Sequence, residues 1–119
     1  FGGQPLTTAV ALAVTKKIID NDIPSYVKSM GEHLINKLRI LGEKHQEISE
    51  VRGQGLLIAL EFKSDLAAEL VKNCRDRGLL LNNVRPNALR FMPPLTVTSE
   101  EIDNAALIVE ESLEAVISQ

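Results

Sequence analysis

Arg90 is the residue whose setting most suggests chemistry. It lies in "NALRFMPPL", residues 87–95, between Leu89 and Phe91 and just ahead of Pro93 and Pro94. If this run is a strand, Leu89 and Phe91 point to one face and Arg90 to the other. The cation is then aimed away from a packed surface by a backbone that cannot easily move. A guanidinium is a planar fork suited to bidentate pairing with a carboxylate. The competing reading is a structural ion pair with Glu61 or another acid, and the bare pattern favours it. The two prolines serve either reading, because they forbid further ladder bonds and force the chain to turn.

The other reactive residue types sit in weaker patterns. "RGQG" at 52–55 contains a Gly-x-Gly, but it continues as "LLIALEF" and lacks the third glycine and following helix of a dinucleotide loop. A turn between strands is the expectation. His33 and His45 have no nucleophile or orienting carboxylate in a recognisable sequence arrangement, so both read as surface or packing residues. Cys74 is the only cysteine and falls on an apolar helical stripe, where it reads as a small core hydrophobe. Seven lysines are present: Lys16, Lys17, Lys28, Lys37, Lys44, Lys63 and Lys72. An imine-forming lysine is desolvated in a pocket, and none of these has such a context. No metal site is expected.

The elements that must position Arg90 can be read from periodicity. "LTTAVALAVTKKIID" after Pro5 repeats apolar residues at helical spacing and is apolar around much of its circumference. A helix of that kind is expected to be buried on more than one side. Pro24 opens a second helix with Val27, Met30, Leu34, Leu38 and Leu41 on one stripe, fading near His45. "ISEVRGQGLLIALEF" reads as two strands or one bent strand, with Gly53 and Gly55 at the bend. Leu56, Ile58, Leu60 and Phe62 alternate onto one face. A third helix follows Ser64 or Asp65 and stops at Gly78. "LLLN" at 79–82 reads as a short strand, "NVRPN" as a turn and "ALRFM" as the returning strand. Thr98 and Glu101 form a capping-box pattern that opens the last helix. The order α, α, β, β, α, β, β, α predicts an α+β fold, a short and mostly antiparallel sheet with helices packed on it.

Length and composition are consistent with one domain. The 119 residues are 45% hydrophobic and 24% charged, with few aromatics, so the core must be aliphatic. A lone cysteine excludes an intramolecular disulfide and suits a reducing compartment, so a cytoplasmic location is expected. No apolar run approaches the length that spans a bilayer. The formal net charge of −3 argues against nucleic acid or an anionic membrane as partner. The chain opens "FGGQPL" without a methionine, as if cut from something longer.

Four stretches in order and spacing, "FGGQPL", "EVRGQGLLIALEF", "GLLLN" and "LRFMPPLTVTSEEID", resemble the C-terminal part of the class III pyridoxal-phosphate-dependent aminotransferases. The acetylornithine branch is the most similar, and the resemblance covers essentially the whole chain. It implies the small C-terminal domain of a fold type I enzyme. Residues 1–22 would lead from a large domain absent from this sequence, and residues 23–119 would form the small domain. The implied parent is a homodimer with active sites at the subunit interface. It would transfer an amino group between N-acetylornithine and 2-oxoglutarate, in arginine biosynthesis.

The catalytic lysine and the cofactor-binding residues of the family lie upstream. The resemblance therefore implies neither catalytic nor cofactor-binding residues in this chain, no bound pyridoxal phosphate, and no activity of the chain alone. Arg90, as the arginine of the "RFxPPL" motif, is implied to bind a substrate carboxylate, alternating with a glutamate of the parent. Gly2 and Gly3 are implied to let the backbone approach a neighbouring active site. The branch is left open between acetylornithine and succinylornithine, ornithine or 4-aminobutyrate. A free-standing, non-catalytic module that binds a small carboxylate or a partner subunit is the alternative.

Overall fold

The computed structural model describes residues 1–118. Its elements are α1 (Pro5–Asp20), α2 (Ile23–Lys44), β1 (Ile48–Gln54), β2 (Leu57–Phe62), α3 (Ala67–Asp76), β3 (Asn82–Arg85), β4 (Ala88–Phe91) and α4 (Ser99–Ile117). The four strands form one sheet in the order β1-β2-β4-β3, and every neighbouring pair is antiparallel. The fold is α+β, as the sequence implied.

One face of the sheet is covered. Ile58, Leu60 and Phe62 of β2 and Leu89 and Phe91 of β4 are buried. The intervening positions Leu57, Ala59, Glu61 and Arg90 are exposed or half-exposed. The helices meet the buried face. Gly31, Leu34, Leu38 and Leu41 recur on one stripe of α2, while Ala67, Leu70 and Cys74 do so on α3. α4 contributes Ile102, Ala106, Val109, Leu113 and Val116.

Two local devices fix this packing. Gly31 lets α2 approach the β1–β2 turn so closely that a Cβ added there would lie 2.1 Å from the Gly55 carbonyl oxygen. Gly55 holds φ +55° at the first position of the two-residue turn joining Gln54 to Leu57, where a primed hairpin turn needs a positive φ. At the other end of the sheet, α3 closes with a Schellman pattern. Gly78 (φ 88°) follows the helix, its N–H donates to Arg75, and the Leu79 N–H donates to Cys74 O at 2.8 Å.

That cap accounts for a shift from the sequence reading. Leu79 is engaged with the helix end, so residues 79–81 form no strand, and β3 starts at Asn82 instead. The turn narrows from "NVRPN" to Pro86–Asn87, with Arg85 opposite Ala88. α3 also begins at Ala67, without a side-chain cap from Ser64 or Asp65. The capping box of α4 forms as read, with Glu101 N–H donating to Thr98 Oγ1 at 3.2 Å and Thr98 N–H to Glu101 Oε2 at 2.8 Å.

The first helix departs most from expectation. No residue of α1 is buried, and Leu6, Val10, Leu12, Val14 and Ile19 are all exposed. Among the described residues α1 packs chiefly against α2, and the molecule has a 55 Å long axis.

Both histidines take part in polar contacts that tie α2, and the residue that follows it, to α4. His33 Nε2 lies 2.7 Å from Asp103 Oδ1, which Lys37 also meets at 3.0 Å. Lys44 and His45 meet Glu110 Oε1 at 3.0 and 3.4 Å. Lys37, then His33, hold the Asp103 carboxyl below its ordinary value of 3.8. Lys44, then His45, do the same for Glu110, whose ordinary value is 4.5.

Two outcomes are expected for this chain. Gly31→Ala forces α2 off the hairpin and lowers the unfolding free energy by about 1–3 kcal/mol in a guanidinium titration; an unchanged midpoint would show that the contact is dispensable. Carboxyls with lowered folded-state pKa stabilise fully above their ordinary values, and that contribution is lost as pH falls through the lowered ones. The double variant Asp103→Asn, Glu110→Gln should therefore lose thermal midpoint at pH 7 and show a shallower decline below about pH 4. Parallel curves for variant and native chain would count against the ties.

Candidate functional site

The uncovered face of the sheet is the candidate site, and strand register builds it. Ala59 of β2 lies opposite Arg52 of β1 on one side and Arg90 of β4 on the other. Asn82 of β3 lies opposite Arg90. A row Arg52–Ala59–Arg90–Asn82 thus crosses all four strands. Adjacent strands are about 4.8 Å apart, so the two arginine backbones are separated by about 10 Å, with only a methyl group between them. An open groove lined by Arg52, Leu57, Ala59, Val84 and Arg90 runs over this row.

Arg90 is aimed away from the helices, as its alternation required. β4 is an interior strand bonded on both sides, so the backbone beneath Arg90 is fixed. Beyond Phe91 the strand ends at the prolines. The next turn is pinned by the Val97 N–H to Pro94 O at 3.0 Å and by the Tyr26 hydroxyl to Val97 O at 2.7 Å.

The ion pair with Glu61 that the bare pattern favoured does not form. Glu61 instead accepts from Arg52, through Nε at 3.1 Å and through Nη2. The same arginine reaches Glu50 at 3.9 Å. The Glu61 carboxylate accordingly pushes the Arg52 guanidinium further up from its ordinary value. Arg90 donates from Nε to Asn82 Oδ1 at 3.3 Å. Among the described residues no carboxylate lies within ion-pair distance of it, so its terminal nitrogens remain available.

Sequence reasoning missed Arg52 as the partner of Glu61. The signal was present: with Gly55–Leu56 as a two-residue turn, counting outward places Arg52 opposite Ala59 and diagonal to Glu61. Asn82 gave no such signal, because the register slips by one between Asn83 and Arg85.

The remaining candidates lie elsewhere. Gly2 and Gly3 are exposed, and a Cβ at either meets nothing of this chain within 4 Å, so no contact in the chain requires glycine there. Helix packing brings His45, Glu110 and Glu114 together with ligand atoms within 4.8 Å of one another, a cluster unseen in the sequence. Lys44 already occupies Glu110, which offsets the charge a cation would need. All seven lysines are exposed or half-exposed. No helix among the described residues is long and apolar enough to cross a membrane. Cys74 is fully buried, and burial pushes its thiol up, with the neighbouring Ser112 hydroxyl and the Arg77 charge acting the other way.

Comparison with known proteins locates this arrangement. The family model for class-III aminotransferases matches residues 1–113. An acetylornithine aminotransferase of Clostridium acetobutylicum is 42% identical over 114 residues, 95% of this chain and 29% of that protein. An ornithine aminotransferase of Staphylococcus epidermidis is 38% identical over 105 residues, 88% of this chain and 26% of that protein. The crystal structure of an acetylornithine aminotransferase from Elizabethkingia anophelis superposes with a TM-score of 0.85 at 30% identity, covering 93% of this chain and 29% of that one. The chain therefore spans less than a third of the length of these relatives.

A buried thiol with a raised pKa should be inert in the native chain. Labelling of Cys74 by a disulfide reagent at pH 8 is expected to be slow, and to become rapid and stoichiometric once guanidinium unfolds the protein. Fast labelling of the native chain would place Cys74 outside the core.

Proposed function

The chain belongs to the class-III aminotransferases, and on that premise we propose that it is the small C-terminal part of an acetylornithine-type enzyme. The complete enzyme would transfer an amino group between N-acetylornithine and 2-oxoglutarate, in arginine biosynthesis. It would work as a cytoplasmic homodimer. Residues 1–22 would be the segment joining the large domain to the small one, residues 23–119. The apolar exposure of Leu6, Val10 and Val14 on α1 supports that division, since such a surface calls for a covering. The 42% identity to the Clostridium acetobutylicum acetylornithine aminotransferase supports the choice of branch.

The observation that carries the reading is the unpaired fork of Arg90 over an open face. Asn82 holds Nε, so the guanidinium is oriented before a ligand arrives. The two terminal nitrogens can then donate to both oxygens of a carboxylate. Ordering the fork in advance lowers the entropic cost of placing the substrate relative to the reacting centre. Because a guanidinium stays charged at any working pH, the same anchor can serve each substrate that shares the site. The exposed Gly2 and Gly3 are proposed to lie where the backbone nears a neighbouring active site.

Pyridoxal phosphate is the cofactor we propose for the complete enzyme, where it would act as an electron sink. The residues of this chain do not fit the group by themselves. An imine-forming lysine is desolvated, whereas no lysine among the described residues is buried. The cofactor is therefore assigned to the rest of the enzyme, and this chain alone is expected to be inactive.

The test is Arg90→Ala in the complete aminotransferase that carries this chain. A charge-assisted pair contributes about 1.5–3 kcal/mol, so kcat/KM for glutamate should fall about 10- to 100-fold, while an amine substrate without a carboxylate reacts as before. Unchanged kinetics with glutamate would make Arg90 structural.

A further inference from the structure

The open face holds Arg52, Arg90 and, beside them, one carboxylate that both can reach. Arg52 and Arg90 are each directly opposite Ala59. Glu61 is two residues further along β2 on the same face, and is therefore the diagonal neighbour of both. Diagonal neighbours on a sheet are within reach of long side chains. Glu61 can consequently pair with either arginine, and a pairing with Arg90 would occupy the fork that the proposed function needs free.

In the structure the choice is made in favour of Arg52. Glu61 takes both Nε and Nη2 of Arg52, and its side chain is only 16% exposed, against 50% for Arg52. A second pull acts on Arg90 from the opposite direction. Its Nε donates to Asn82 on β3, the strand on the far side from β2. The two devices draw the potential partners apart across the width of the sheet. Arg52 has a further reason to stay in place. Glu50 and Glu61 are directly opposite each other on β1 and β2, and Arg52 lies within 4 Å of both. Like charges at such a cross-strand position repel, so releasing Arg52 would cost the sheet twice.

We infer that Arg52 is a positioning residue for the substrate site: it sequesters Glu61 so that no carboxylate of its own sheet occupies the Arg90 fork. The inference rests on the reading of Arg90 given above. Arg52 itself touches no substrate in this scheme. It acts through Glu61, and its removal turns Glu61 into an internal competitor for the substrate carboxylate. An exposed ion pair reduces the competent fraction of the anchor by about fivefold, so the effect on affinity should be of that size.

The test uses the complete enzyme in four forms: Arg52→Gln, Glu61→Gln, the double variant, and Arg90→Ala. Glutarate binding by calorimetry supplies a readout independent of turnover, and KM for glutamate supplies the second. Arg52→Gln should weaken glutarate and raise KM about fivefold with kcat little changed, and should leave an amine without a carboxylate unaffected. Glu61→Gln should be close to native, and adding it to Arg52→Gln should restore glutarate binding. A structural role for Arg52 would give a loss that Glu61→Gln does not rescue, and that result would overturn the inference. So would native glutarate binding by Arg52→Gln while Arg90→Ala has lost it. If Arg90→Ala binds glutarate normally, the anchor reading itself is wrong and this inference goes with it.

Discussion

Everything at the site depends on a sheet that is packed on one face only. Because successive side chains alternate, burying Leu89 and Phe91 against the helices obliges Arg90 to face the other way. The same rule turns Arg52, Ala59 and Glu61 outward from β1 and β2. No strain is needed to hold a cation in place. The strand that carries it is interior, paired with β2 on one side and β3 on the other, so the aliphatic core beneath sets the position of the charge above. The close approach of α2 at Gly31 belongs to the same constraint, since it fixes the β1–β2 hairpin and with it the register that puts Arg52 beside Ala59.

Charge on this face is distributed by competition. Two acids, Glu50 and Glu61, converge on Arg52, while Arg90 is left with a neutral amide as its partner. Between the helices the opposite holds: Asp103 and Glu110 of α4 are each shared by a lysine and a histidine. The α2–α4 seam thus gives each of these carboxylates a lysine and a histidine as partners, and its role is to tie elements together. On the sheet face, Arg90 has no carboxylate within ion-pair distance among the described residues, and its guanidinium lies over an open groove.

Much of this was legible in the sequence. The four helices, the glycine turn, the capping box and the burial of Cys74 followed from period and local chemistry. The direction of Arg90 followed from Leu89 and Phe91 alone. The misreadings came from non-local effects. β3 moved three residues because a helix cap claimed Leu79 and because a slipped register reset the pairing with β4. The salt bridge expected between Glu61 and Arg90 went to Arg52, a partner that counting outward from the Gly55–Leu56 turn would have shown. The apolar α1 was read as buried, yet none of its residues is buried. The family resemblance was carried by four short motifs, and the match over residues 1–113 bears it out.

The central claim is that Arg90 is kept open for a substrate carboxylate. It is tested most directly by a crystal structure of the complete enzyme with glutarate bound. The account predicts a glutarate carboxylate on the terminal nitrogens of Arg90, with Nε still on Asn82 and Glu61 still on Arg52. A structure in which Arg90 pairs with Glu61 and glutarate binds away from the sheet would contradict it.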